Sequence, residues 1–253
     1  MFRYLTSMLG DPRTTLMFFL LAFPGRILAI SAHEFAHAWV ADKCGDPTAR
    51  MLGRLTLNPM KHLDLIGTLM MLLLGFGWAK PVPVNPRNYR NYRRDDLLVS
   101  IAGITMNLIL FLLSFFACAA IVFSVIRGAG ATGEQARDFV YYAASIDSNY
   151  IASMSGSRML GYVYDMLTYF VLVNISLAIF NLLPVPPLDG YHVVNDLLLR
   201  RDLFASGPVT RAATGILFLL MFTGYLGSIL SYAVSAVLSG AGWVAQILFA
   251  LFP

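Results

Sequence analysis

No Asp, Glu, Lys, Arg or His occurs anywhere in residues 97–126. A helix crosses the hydrocarbon core of a bilayer with about 20 apolar residues, so this stretch alone commits the chain to a membrane. Residues 160–183 are long enough to cross as well, and 212–253 are apolar throughout. The C-terminal run supplies two helices if it breaks near 224–228 or 240–242, where glycines occur. A first apolar run, 14–40, is interrupted by Pro24 and Arg26. The run 65–78 differs, because about 14 residues fall short of a crossing, and it carries Gly67, Gly75 and Gly77. Composition agrees, with 58% hydrophobic and 13% charged residues and a mean hydropathy of +0.68. The expected fold is an all-α polytopic membrane protein with about five transmembrane helices, four to six in range, and a re-entrant or β-strand segment. The linkers are too short for an inserted domain of the usual ~50 residues or more, so one membrane-embedded domain is expected over 1–253. Its core spans 14–200 and its C-terminal helices 208–253. Cys44 and Cys118 offer no disulfide framework.

Basic residues orient the spans, because cytoplasmic loops collect Lys and Arg. The stretch between the first and third apolar runs carries Lys43, Arg50, Arg54, Lys61, Lys80, Arg87, Arg90, Arg93 and Arg94. Only Arg3 and Arg13 flank the first run on its other side. The bias places 43–95 in the cytoplasm, 128–158 outside, and the loop with Arg200, Arg201 and Arg211 inside again. Both flanks of 65–78 are then on one side, which suits a re-entrant hairpin. The net charge of +4 is accounted for by this topology and by anionic headgroups, and needs no nucleic-acid partner. A multi-pass protein of the cell membrane is expected, with its working face toward the cytoplasm.

The chemistry lies in the first apolar run, where His33, Glu34 and His37 spell HEFAH. Two His four apart stand one above the other on a helix face and can share one tetrahedral metal, while the Glu beside them can take a proton from the water the metal activates. Either histidine alone would be an ordinary core residue, but ionisable groups at membrane depth are expensive and functional by default. The run looks superficially like a signal sequence, yet cleavage would destroy the motif, so a retained helix is expected. Cys44, seven residues after His37, could share its helix face, but the helix is expected to end at Gly45 and a small buried or interfacial Cys is the commoner case.

A catalytic zinc takes three protein ligands and a water. The third donor is sought in Asn181-Leu-Leu-Pro-Val-Pro-Pro-Leu-Asp189-Gly190, where Pro184, Pro186 and Pro187 force the preceding span to unwind. Irregular backbone at membrane depth is tolerated where it lines a wet cavity or is buried in protein. Asp189 is the best candidate; alternatively, it caps a helix over 191–199. His62 competes as a ligand, but its setting between Lys61 and Asp64 suits an interfacial or substrate-gating place.

These motifs resemble the site-2 proteases, intramembrane zinc metallopeptidases, in their short bacterial form without a PDZ domain. HEFAH at 33–37 is similar to the family's first motif, and Asn181 with Leu-Asp-Gly at 188–190 to its second. Stretches 45–50, 53–59 and 76–86 also look like short members, so the likeness covers 20–200. The resemblance implies that His33, His37 and Asp189 hold one Zn2+, that Glu34 activates the water, and that Asn181 meets the substrate carbonyl. Residues 102–107 look like the family's Gly-Pro-x-x-Asn motif with Ile104 in place of proline, which makes Asn107 a further candidate. The implied partner is a membrane protein with a transmembrane helix to be cut, within the lipid bilayer. The oligomeric state is left open.

A peptidase must hold its substrate extended, since a helix hides the scissile carbonyl. Prolines at 81, 83 and 86 leave the N–H groups of Val82 and Val84 to pair with a substrate strand, unless the segment is a plain stiff loop. Arg26 either lines a cavity on the outer side of the metal or snorkels from a helix starting at Pro24. Asn107, Asn174 and Asn181 are candidates to line a water path. Asp165 reads as an outer-interface residue. The alternatives to a protease are a metal transporter with a midplane site and a non-catalytic zinc-binding scaffold.

Overall fold

The computed structural model describes residues 12–74, 77–199 and 207–251. Its helices are α1 (Pro12–Cys44), α2 (Thr48–Met51), α3 (Leu65–Leu74), α4 (Tyr92–Gly128), α5 (Gly133–Val140), α6 (Ser148–Ser155), α7 (Arg158–Asn181), α8 (Asp189–Val194), α9 (Gly207–Thr223) and α10 (Tyr225–Phe249). Among the described residues four are long and apolar enough to cross a membrane, namely α1 from Phe19, α4, α7 and α10; α9 is apolar but shorter. This is the expected all-α polytopic architecture.

Helices in lipid gain little from apolar burial and associate through close packing, which favours small residues at their contacts. The buried face of α1 shows this in Ala22, Ala29 and Ala36, spaced by seven so that they fall on one stripe. Gly25 sits against Phe170 of α7, where an added Cβ would come within 3.3 Å of the ring. α4 and α7 meet α1 along this stripe and share a core of Phe111, Phe115, Val122, Tyr164, Val171 and Ile175. Pro24 does not start a helix; α1 runs through it from Pro12, as packed neighbours in a bundle permit. The end at Cys44 is as expected: Gly45 takes φ +109°, and Asp46 N–H closes the turn on Ala41 O at 2.9 Å, a Schellman-type stop.

The run at 65–78 forms α3, whose ten residues cannot cross. An antiparallel bridge pairs Leu63 with Ala79, and Lys80 N–H donates to His62 O at 2.8 Å. The segment therefore leaves beside the point where it enters, a hairpin. A Cβ on Gly67 would lie 2.1 Å from Trp78 O, so glycine is what lets the two arms touch. No strand forms among the described residues, and the β alternative is reduced to this single bridge.

The stretch 128–158 holds α5, started by a Thr132–Gln135 capping box, and α6, capped by Asp147. They bury Val140 and Ile151 against α4 and α7, and Tyr164 O–H donates to Ala143 O at 2.5 Å. Asp165 accepts from Ser148 Oγ at 2.8 Å, tying α7 to α6. At the C-terminus the chain breaks at Gly224, with φ +81°, to give two helices.

Candidate active site

His33 and His37 lie one turn apart on α1 with ring centroids 4.6 Å apart. The prolines after Asn181 end α7, and the chain turns back so that Asp189 is the first residue of α8. Gly190 makes the turn possible, since a Cβ there would sit 2.3 Å from Leu182 O. Asp189 is not a helix cap: the cap position is Leu188, without a capping side chain. The carboxylate faces α1 instead. His33 Nε2 and His37 Nε2 are 3.0 Å apart, and each is 3.3 Å from Asp189 Oδ2. Ligands about 2.1 Å from a tetrahedral zinc stand ~3.4 Å from one another. The spacing fits that ion.

The hydrogen-bond partners decide whether these nitrogens carry lone pairs. His37 Nδ1 lies 2.7 Å from Val99 O, and a carbonyl only accepts, so Nδ1 donates and Nε2 is free to ligate. His33 Nδ1 is 2.7 Å from Asn107 Oδ1. The Asn107 amide is fixed in that sense because its Nδ2 donates to Ala29 O at 3.3 Å and to Asn174 Oδ1 at 2.9 Å. Asn174 is fixed in turn by donating to Phe170 O at 2.8 Å. Two backbone carbonyls thus orient two buried amides and dictate the His33 tautomer. Three lone pairs then converge, and Asp189 Oδ2 is buried with no hydrogen-bond donor. A metal cation satisfies such a set. Gly103 makes space for it: a Cβ there would lie 2.4 Å from His37 Nε2 and 2.5 Å from His33 Cε1.

Glu34 shares with these three residues a cavity of ≈310 Å³, also lined by Asn181 and His192. Its opposite wall is the proline-rich strap around Val82 and Val84. Val82 N–H donates to Glu34 Oε2 at 2.8 Å, so this N–H serves the protein's own glutamate and is not free for a substrate strand. The loops after α1 brace the strap. Arg54 donates to Lys80 O at 2.7 Å and Pro81 O at 3.3 Å. Asp46, fully buried, accepts from Asn85 N–H at 2.6 Å, Asn88 Nδ2 at 2.8 Å, Thr48 N–H at 3.1 Å and the Thr48 hydroxyl. Burial alone would raise the Asp46 carboxyl, but the bonds from Thr48, Asn85 and Asn88 outweigh it and hold the pKa below the ordinary value.

Asn181 lines the cavity and donates one amide hydrogen to Leu177 O at 3.0 Å within its own helix. Asn107 stands behind His33. Asn107 and Asn174 are fully buried and form a closed network, so they do not line a water path. His62 is not gating: it is fully buried and bonds Thr56 O at 2.7 Å, outside the cluster. Cys44 is buried and free. Arg26 lines a separate apolar cavity, with Ile30, Leu172, Phe180 and Leu230. Sequence reasoning passed over His192 and Asp96. Asp96 Oδ2 holds His192 Nδ1 at 3.1 Å, and both line the metal cavity. The signal was there: His192 is three residues after Asp189, on the same helix face.

Residues 19–224 match Peptidase family M50. The chain is 38% identical over 202 residues to "Putative zinc metalloprotease YwhC" of Bacillus subtilis, covering 80% of each. It is 26% identical over 210 residues to "Putative zinc metalloprotease Rip2" of Mycolicibacterium smegmatis, covering 81% of this chain and 68% of the relative. The protein of the same name from Mycobacterium tuberculosis is 27% identical over 209 residues, covering 80% and 66%. No solved structure is significantly similar to the chain. With the family match, the relatives and a donor set shaped for zinc, the chain belongs to peptidase family M50, the site-2 proteases, as a membrane-embedded zinc metallopeptidase.

Proposed function

We propose that this peptidase cuts membrane-spanning segments of other membrane proteins, with His33, His37 and Asp189 holding one zinc and Glu34 moving the proton. The observation that carries the reading is the convergence of three lone-pair donors beside Glu34 in one cavity among spanning helices. Zinc bound there supplies a Lewis acid that polarises the peptide carbonyl and acidifies the attacking water. Glu34 takes that water's proton and passes it to the leaving amine as the C–N bond breaks. The Val82 N–H holds the carboxylate at the cavity wall, so it is aimed before substrate arrives. Asn181 has a second amide hydrogen for the substrate carbonyl. Asn107 is a positioning residue that fixes the His33 ring.

An apolar cavity of ≈480 Å³ among α1, α7, α9 and α10 supports a membrane helix as the substrate, because its walls are compatible with lipid-soluble side chains. The basic residues on both sides of α3 support a site reached from the cytoplasmic face of the cell membrane. Zinc content and cleavage of a detergent-solubilised single-span peptide, compared for wild type, Glu34→Gln and Asp189→Ala, test the assignment. One zinc per chain, cleavage by wild type alone and zinc loss in Asp189→Ala alone are expected. Cleavage by Glu34→Gln, or a zinc-loaded wild type that cuts no extended peptide, sinks it.

A further inference from the structure

One face of α4 serves the whole cavity. Asp96, Val99, Gly103 and Asn107 recur at helical spacing, and the last three respectively hold His37, make room for both imidazoles and hold His33. Asp96 begins this stripe, yet it touches neither metal-binding histidine. It is buried, and its carboxylate oxygen lies 3.1 Å from Nδ1 of His192. The His192 side chain is half exposed and lines the cavity that contains Glu34 and Asp189. A carboxylate that engages Nδ1 fixes an imidazole ring and favours its imidazolium form, in which Nε2–H is also a donor; in the neutral ring Nδ1 would keep the proton and Nε2 would only accept. A buried Asp that orients a His at the edge of this cavity is a device for presenting that ring to a ligand.

We propose that His192 is a catalytic residue whose Nε2–H, aimed by Asp96, donates to the oxygen of the scissile carbonyl and stabilises the negative charge that grows on it. The inference rests on the peptidase reading above and deepens it. No proton moves at this residue. As water attacks, the carbonyl π bond becomes a lone pair on oxygen while Glu34 receives the water's proton. When the C=O bond re-forms, the C–N bond breaks and Glu34 gives its proton to nitrogen. His192 keeps its own proton throughout. A preorganised charged donor aimed where charge develops outperforms a neutral one, and Asn181 alone presents only a neutral amide. The groups facing His192 are Asp96 from α4 and Asp189 and Asp196 from its own segment, with Arg93 of α4 beside Asp196. The Asp96 bond raises the His192 pKa above its ordinary 6.5 against the opposing effect of burial. Burial and the facing Asp96 push Asp196 up to about 6.

The test compares wild type, Glu34→Gln, His192→Gln and Asp96→Asn on one single-span peptide in detergent micelles, reading kcat and KM across pH together with zinc content. In His192→Gln, kcat should fall about 100-fold, the scale of one lost oxyanion donor, with KM and zinc content unchanged. Wild type should lose kcat on an alkaline limb as His192 deprotonates. That limb should be absent in His192→Gln and move toward acid in Asp96→Asn. Peptide affinity measured in the Glu34→Gln background should not change when His192→Gln is added, because the contact belongs to the transition state. An unchanged kcat, a rise in KM alone, or zinc loss in His192→Gln would overturn the inference while leaving the peptidase standing. Undiminished cleavage by Glu34→Gln would overturn both.

Discussion

Gly103 has no side chain because two imidazoles occupy the space where one would be. Gly103→Ala must push His33 or His37 off the converging point, and zinc affinity should fall about 10–100-fold, the usual cost of disturbing groups that support ligands. Asn107→Leu should do the same by another route, freeing the His33 ring and its tautomer. It should also cost about 1–3 kcal/mol of stability, because Asn174 Oδ1 loses its buried donor. Chelator competition for zinc and thermal unfolding in detergent read the two effects separately. Wild-type zinc affinity in Asn107→Leu would show that the amide relay sets nothing. His33, Glu34 and His37 are legible in the sequence because one helix fixes their spacing, and Asp189 because three prolines mark where α7 must stop. The tasks of Asn107 and Asp96 are not legible. Their partners lie 74 and 96 positions away in the chain, and no local pattern records which side chain turns toward which.

The strap carrying Val82 is an element without secondary structure, so its shape comes from outside it. Arg54 holds its first carbonyls and Asp46 its far end, which explains why Gly-Asp-Pro-Thr-Ala-Arg and Gly-Arg-Leu stand where they do. The alternating prolines leave open a pairing edge or a plain stiff loop, and no strand forms there among the described residues; what the sequence could not show is that Glu34 takes the Val82 N–H. Asp46 makes this brace pH-sensitive. Its folded pKa lies below the ordinary 3.8, so its contribution is complete above that value and disappears as pH falls through the lower folded one. Hydrogen bonds to a charged group contribute about 1.5–3 kcal/mol each in favourable cases. Acidification below the ordinary carboxylate range should therefore loosen residues 80–88, seen as faster hydrogen exchange there than in α4. Asp46→Ala should show the same loosening at neutral pH, with zinc still bound and cleavage reduced. Equal exchange in Asp46→Ala and wild type would mean that Arg54 alone suffices.

Across the whole molecule, basic residues, helix lengths and the glycine break at Gly224 bear on one question, which faces share a side of the membrane. α1, α4, α7 and α10 are each long enough to cross, and the bridge at Leu63 and Ala79 returns α3 to its own side. The 17 residues of α9 extend about 25 Å at 1.5 Å per residue, a little under the ~30 Å apolar core, a mismatch a bilayer absorbs by thinning. With α9 crossing, the C-terminal end of α10 lies on the side of the strap, and α5 and α6 lie opposite. Cys44 and Cys118 are both buried, so single cysteines placed on exposed residues report cleanly. A membrane-impermeant maleimide should label Asp138→Cys from outside intact cells, and Arg87→Cys and Leu251→Cys only in inverted vesicles. Labelling of Leu251→Cys together with Asp138→Cys would mean that α9 turns back without crossing. Arg87→Cys labelled from outside would reverse the orientation, and the cavity holding Glu34 would then draw its water from the other face.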